Sequence, residues 1–233
     1  MKQNDSLPLD PARTRRARRR GIMLVILAAA SFSISAAFAK TIGTGIPVAE
    51  VIFFRNFFAL VPLLPVVIGA GGLAALRMRN PGSHILRTIF GMTGMVGSFY
   101  GYVYLPLVTV TALGFTMPLF LTLLAIPILG EKVGWRRWLA VLVGFCGVLL
   151  MVRPEQGSTD TQWFALGLCL LGALAWALAM ITIRKMGEAG ESGVAIVFWF
   201  ALFSALLAGI AMIPVWIWPS PTQFHGPSAC RHL

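Results

Sequence analysis

Arg55 is the residue whose type and position most clearly predict chemistry, because it lies inside a long apolar stretch, residues 47–72. It falls about eight residues, or about 12 Å, below the outer end of the predicted helix. A guanidinium at this depth costs roughly 2.5–3.5 kcal/mol, so a partner or a water-filled cavity is expected. One interpretation is that Arg55 attracts an anionic group of a solute or gates the outer side. The other is structural: the side chain extends outward to the membrane interface or pairs with Glu50.

Glu50 lies near the outer end of the same stretch, and Lys40 lies across the preceding loop. An ion pair between them at the membrane interface is one interpretation. The other is that Glu50 couples transport to protons, since it is the membrane-adjacent carboxylate of the outer half.

Small and aromatic residues share the third apolar stretch, residues 85–105. The small residues are Gly91, Gly94, Gly97 and Gly101, and the aromatic residues are Tyr100, Tyr102 and Tyr104. Small residues let helix backbones approach closely in lipid. Tight helix packing is therefore predicted, and the alternative is a thin wall beside a solute pathway, lined by the hydroxyls of Tyr100 and Tyr104.

Two further residues within apolar stretches are candidates for contact with a solute. Pro118 interrupts the fourth stretch, where proline kinks a helix and frees a backbone carbonyl. Such a break serves as a hinge or a substrate contact in some transporters. Trp176 in the sixth stretch is either a packing residue or an aromatic surface for an apolar or cationic solute.

Residues that would support an enzyme, a metal site or a cofactor site are not apparent. The sequence contains no phosphate-binding G-x-x-x-x-G-K, no H-E-x-x-H and no credible Ser/His/Asp set. The three cysteines, Cys146, Cys169 and Cys230, lack metal-ligand spacing. We therefore expect no catalytic residue, no metal and no cofactor.

The elements that carry these residues are predicted to be membrane helices. The sequence is 58% hydrophobic and only 12% charged, and an apolar run of about 18 or more residues is typical of a transmembrane helix. Seven such runs are predicted: 21–39, 47–72, 85–105, 108–129, 135–152, 163–183 and 194–218. The fold class is thus an all-α, polytopic membrane helix bundle.

The basic residues predict how the bundle is oriented. If the N-terminus is cytoplasmic, fifteen Lys and Arg fall on the cytoplasmic side and three, Lys40, Arg153 and Arg231, on the other. This bias predicts a multi-pass protein of the inner membrane with a cytoplasmic N-terminus. The net charge of +11 therefore reflects topology, and nucleic acid is not expected as a partner.

A weak internal repeat suggests how the spans are arranged. The end of the first span, residues 30–40, resembles residues 174–184, and residues 48–55 resemble residues 192–199. A five-span unit is odd, so its second copy starts from the opposite side and forms an inverted repeat. The predicted organisation is a disordered basic arm (1–20), a first repeat (21–153), an incomplete second repeat of two spans (163–218) and an unrelated tail (219–233).

Several short motifs in order resemble one family, the EamA domain of the drug/metabolite transporter superfamily. They are residues 105–107, 111–120, 129–133, 135–138, 144–148 and 153–154, together with Glu50 and Arg55. The resemblance covers roughly residues 21–218.

The resemblance implies ten spans in two repeats and transport of small metabolites such as amino acids or S-adenosylmethionine. The predicted function is therefore a secondary transporter that moves a small organic solute across the lipid bilayer by alternating access. The alternative is an inactive, truncated fragment of such a transporter, because three spans of the family pattern are lacking. The sequence does not assign an oligomeric state.

Overall fold

The computed structural model describes residues 46–130, 134–151 and 160–216, with nine separate positions between 19 and 40. The chain divides into two units, residues 1–38 and 39–233, and each is described by itself. The described positions of the first unit are all helical. Apart from those positions, the predicted arm (1–20), the first predicted span (21–39) and the predicted tail (219–233) lie outside the described residues.

The described residues of the second unit form helices and no strands, which confirms the all-α fold class. The α-helices are α1 (Val48–Gly69), α2 (Pro81–Tyr104), α3 (Leu107–Gly114), α4 (Thr116–Leu129), α5 (Trp135–Met151), α6 (Asp160–Glu188) and α7 (Gly193–Met212). Short 3₁₀ turns follow α1 at Gly72–Leu76 and α7 at Ile213–Val215.

Four helical segments of the described residues are long and apolar enough to cross a membrane: Val48–Gly69, Leu107–Ile128, Asp160–Glu188 and Gly193–Val215. Helix α5 has a shorter apolar segment, Trp138–Val148. Helix α2 has 24 residues but is not among these segments. Its polar residues His84, Arg87 and Thr88 are buried against neighbouring helices, so they do not have to face hydrocarbon. Six of the seven predicted spans thus coincide with described helices.

Proline and glycine fix several helix ends. Pro81 is the first residue of α2, where the missing N–H needs no partner. Gly130 ends α4 with φ +68°, and Gly190 follows α6 with φ +79°. At Gly190 the N–H of Glu191 donates to the carbonyl of Met186 over 3.0 Å, which completes a left-handed cap and fixes the position of Glu191.

Helix α2 occupies the centre of the described bundle. It packs most extensively on α6 and also contacts α7 and α1, while α1 packs on α7. The α1–α7 pair is antiparallel, because Phe53 near the start of α1 lies against Gly209 near the end of α7. The residues that α2 presents to α1, α6 and α7 therefore define the core of this unit.

Candidate functional site

The glycine face of α2 lies directly against α6, as predicted for tight packing. A Cβ at Gly97 would lie 2.5 Å from the carbonyl oxygen of Leu168 and 3.0 Å from Cα of Gly172. A Cβ at Gly101 would lie 3.2 Å from Sγ of Cys169. The two backbones meet directly at Gly97 and Gly172, so this half of the interface, nearer the end of α2, has no room for a solute.

Arg55 reaches from α1 to the other side of α2. Its guanidinium carbon lies 5.6 Å from the ring centroid of Phe99, a cation–π geometry. Tyr102 is buried, meets Phe99 edge to face at 6.0 Å and interacts electrostatically with Arg55. The membrane-embedded cation is thus held beside two aromatic side chains.

Asn56, the neighbour of Arg55, was not singled out from the sequence. It is 3% exposed, and its Nδ2 donates to the carbonyl of Ile52 over 2.8 Å and approaches Sδ of Met95 at 3.7 Å. This contact joins α1 to α2 next to Arg55, so it fixes the position of α1 at the point where the Arg55 side chain extends from the helix.

Glu50 lies near the start of α1, and Lys40 lies near the end of α2. Glu50 is fully buried in the first turn of α1, where a carboxylate is stabilised by the helix dipole. Nζ of Lys40 donates to the carbonyl of Leu105 over 2.7 Å, just past the end of α2, where a cation is favoured for the same reason. The predicted roles of Glu50 in ion pairing or proton coupling stay predictions.

The predicted tyrosines separate onto two faces of α2. The rings of Tyr100 and Tyr104 lie 4.5 Å apart, and Tyr100 meets Phe164 of α6 at 5.7 Å. Tyr102 is two residues away and faces Arg55 instead. Contact of Tyr100 and Tyr104 with a solute stays a prediction, and Tyr102 joins the candidate residues.

Pro118 accompanies a break in the fourth predicted span. Helices α3 and α4 meet at Phe115, and Pro118 cannot donate to the carbonyl of Gly114, four residues earlier. The hydroxyl of Thr116 donates to the carbonyl of Leu113 over 2.6 Å and satisfies part of the interrupted helix. Pro118 itself is exposed, and its role as a hinge or contact stays a prediction.

Trp176 lies nearer the start of α2 in the α2–α6 interface, opposite Gly94. A Cβ at Gly94 would be 2.7 Å from Cδ1 and Nε1 of the indole. The guanidinium carbon of Arg87 lies 5.9 Å from the Trp176 ring and 4.0 Å from the ring of Phe200 on α7. We name Arg87, Trp176 and Phe200 the aromatic–arginine cluster.

Arg87 was assigned from the sequence only to the positive charge of the cytoplasmic side. It is 7% exposed, so its side chain lies within the bundle and not at the surface. The signal that could have found it is spacing: Arg87, Gly91 and Gly94 stand at i, i+4 and i+7, on one helix face. The aromatic partners come from α6 and α7, which are distant in sequence.

A polar network lies beside the start of α2 and the end of α6. Oε1 of Glu191 accepts hydrogen bonds from the backbone N–H groups of Arg79 (2.7 Å) and Asn80 (2.8 Å). Oε2 of Glu191 lies 3.6 Å from Nε2 of His84, and both side chains are buried. Burial by itself would raise the pKa of Glu191, but these N–H donors and His84 hold the pKa below its ordinary value. Glu191 therefore ties the loop before α2 to the loop before α7.

Across the described residues, no three His, Cys, Asp or Glu side chains come together as a metal site. The arrangement instead presents two arginine side chains with aromatic neighbours, a buried Arg87 on α2 and a half-buried Arg55 on α1. Such groups bind and orient anionic or flat solutes by charge, hydrogen bonding and stacking.

The apolar helices and their packing define a multi-pass helical membrane protein. The EamA-like transporter family model matches residues 19–153, more than half of the chain. The chain belongs to the EamA-like transporter family.

Several relatives are named as transporters. The chain is similar to the S-adenosylmethionine uptake transporter of Rickettsia prowazekii (strain Madrid E), at 34% identity over 86% of this chain and 66% of that protein. It is also similar to the pseudopaline exporter CntI of Pseudomonas aeruginosa (strain UCBPP-PA14), at 29% identity over 81% and 64%. The riboflavin transporter of Rhizobium johnstonii matches at 29% identity over 82% and 63%.

The chain thus spans about two thirds of the length of these curated relatives. No solved structure shows a significant match to the chain.

Proposed function

We propose that this protein is a secondary transporter of the drug/metabolite class, which moves a small organic solute across the bilayer by alternating access. The observation that carries the proposal is Arg55, which lies within an apolar helix beside Phe99 and Tyr102. A charge at this depth is costly and typically marks a solute or ion pathway. Family membership and the names of the relatives support the same function.

S-adenosylmethionine is the first solute to test. Four relatives are named S-adenosylmethionine uptake transporters. The solute carries an amino-acid carboxylate, which suits a guanidinium, and a flat adenine ring, which suits aromatic side chains. Arg55 and Tyr102 are the proposed contacts in the outer half, and Trp176 in the cytoplasmic half. Glu50, Tyr100, Tyr104 and Pro118 are proposed as accessory pathway or gating residues.

The proposed organisation is a cytoplasmic basic arm (1–20), a first EamA repeat (21–153), part of a second repeat (163–218) and a tail (219–233). The extent of the family match, residues 19–153, supports the bounds of the first repeat. The antiparallel packing of α1 on α7 supports the repeat, because the second spans of two inverted repeats meet each other across a shared two-fold axis.

We place the protein in the inner membrane with its N-terminus in the cytoplasm. The bias of fifteen basic residues against three supports this orientation. We assign it no enzymatic activity, and the names of the relatives favour transport over the alternative of an inactive fragment.

Counterflow in proteoliposomes tests the proposal. Vesicles that contain the 233-residue chain are preloaded with unlabelled S-adenosylmethionine and then given the radiolabelled compound outside. We expect transient accumulation of label that empty vesicles lack, and inhibition by unlabelled S-adenosylmethionine in the outer solution. Accumulation equal to that of empty vesicles would contradict the assignment of S-adenosylmethionine. If pseudopaline and riboflavin also accumulate no more than in empty vesicles, that outcome would contradict transport by this chain.

A further inference from the structure

We propose that the aromatic–arginine cluster is a second solute subsite, in the cytoplasmic half of the bundle, and that it binds the carboxylate of the transported solute. The proposal rests on the proposed transport function and deepens it. It assigns to Arg87 a role that the sequence did not predict, and it adds Phe200 to the solute contacts.

The guanidinium of Arg87 is enclosed but not neutralised by the described residues. The residue is 7% exposed, and its Nε and Nη1 have no hydrogen-bond partner in the part of the chain that the structure describes. A buried cation with unpaired donors is costly, and an incoming anion would satisfy both the charge and the N–H groups.

The aromatic rings contact the guanidinium without forming hydrogen bonds to those N–H groups. Phe200 lies 4.0 Å from the guanidinium carbon and Trp176 lies 5.9 Å from it. Rings over a guanidinium hold its position and exclude water, while its in-plane N–H donors remain free to form a paired contact with a carboxylate. The cluster therefore presents an oriented, partly dehydrated anion receptor.

Gly91 makes the room that this arrangement requires. A Cβ at Gly91 would overlap Nη1 of Arg87 and Cε2 of Phe200. The guanidinium and the ring thus occupy the space that any other residue at this position would fill.

Among the described residues, no carboxylate forms an ion pair with Arg87. The buried carboxylate of Glu191 accepts the N–H groups of Arg79 and Asn80 through Oε1, and its Oε2 faces His84. A carboxylate brought by the solute would therefore supply the counter-charge of Arg87. A lipid phosphate has the same oxyanion chemistry, but the enclosure of Arg87 favours a small solute over a lipid headgroup.

Binding of paired ligands to the chain in phosphatidylcholine nanodiscs tests the subsite, with tryptophan fluorescence as the signal. The pairs differ only in the charged group: S-adenosylmethionine with its decarboxylated form, and benzoate with benzamide. We expect the carboxylate member of at least one pair to bind about tenfold or more tightly, as a charge-assisted, two-point contact predicts. In Arg87→Gln this preference should fall to about onefold.

Matched variants identify the site. Arg184→Gln removes the same charge from an exposed side chain at the cytoplasmic end of α6 and should keep the wild-type preference. Trp176→Phe should remove the fluorescence signal and weaken the binding of radiolabelled ligand, because Trp176 is part of the cluster. If Arg87→Gln fails to fold, Arg87→Lys and Gly91→Ala serve instead, and both should lower the preference, because the first loses the paired N–H donors and the second displaces the guanidinium.

The outcomes separate the subsite from the transport function. Carboxylate preference that depends on Arg87, without counterflow of any solute, supports the subsite and contradicts the transporter. Counterflow with no carboxylate preference, or with a preference that survives Arg87→Gln, overturns the subsite and leaves the transporter standing. A preference that is absent in phosphatidylcholine nanodiscs but present in a phosphate-free glucoside or maltoside detergent would show that a lipid phosphate occupies Arg87, and would overturn the assignment to the solute.

Discussion

The two halves of helix α2 meet α6 in opposite ways. In the half nearer the end of α2, the close half, Gly97 and Gly172 bring the two backbones together. In the half nearer the start of α2, the side chain of Trp176 packs on Gly94 beside a buried cation, Arg87. One interface thus has two properties: backbone contact fixes the helix pair in the close half, and side chains surround a cation in the other half.

The largest effect should come from adding one methyl group to the close half. Gly97→Ala places Cβ 2.5 Å from the Leu168 carbonyl oxygen, and a backbone atom cannot rotate away. We expect a loss of about 3 kcal/mol, the upper end for overpacking, measured as a lower midpoint of thermal unfolding in detergent. Gly167→Ala on α6, where nothing lies within 4 Å, is the control, and an equal loss there would contradict the account of the close half.

Disruption of the polar network around Glu191 should have the next largest effect. Glu191→Ala leaves the N–H groups of Arg79 and Asn80 without their acceptor. Unpaired buried donors predict a loss of about 2 kcal/mol. Glu188→Ala, which removes a carboxylate from an exposed pair with Arg184, should cost less than about 1 kcal/mol. Equal effects would mean that Glu191 does not tie the two loops together.

The same carboxylate predicts a dependence of stability on pH. Because the pKa of Glu191 is lower in the folded state, its contribution is complete above the unfolded value of about 4.3 and is lost as pH falls through the folded value. Unfolding midpoints of wild type and Glu191→Gln, measured from pH 7 to pH 3, should converge below about pH 4. A constant difference across this range would contradict the lowered pKa.

The smallest effect concerns the link between α7 and the turn after α1. Nε1 of Trp199 donates to the carbonyl of Leu76 over 2.8 Å. Trp199→Phe should cost about 1 kcal/mol, the contribution of one hydrogen bond, in the same unfolding assay. Trp163→Phe, at a side chain that is 52% exposed, should change the midpoint less, and the reverse order would contradict this link.

The fold class followed from the sequence because apolar length and periodicity report directly on membrane helices. Tight packing of the α2 glycines also followed, since small residues at regular spacing predict close backbones. Arg87 did not follow, because its depth depends on Trp176 and Phe200, which only the tertiary structure brings to it. Likewise, the sequence analysis singled out Tyr100 and Tyr104, whereas the packing of α1 on α2 places Tyr102 beside Arg55.

The dependence of transport on Arg55 tests the central claim most directly. Counterflow of S-adenosylmethionine is measured in parallel for wild type, Arg55→Gln and Arg184→Gln at equal amounts of reconstituted protein. We predict that Arg55→Gln lowers the initial rate about tenfold or more, as loss of one charge-assisted contact implies, while Arg184→Gln stays within about twofold of wild type. Equal rates for wild type and Arg55→Gln would contradict a solute pathway beside Arg55, Phe99 and Tyr102.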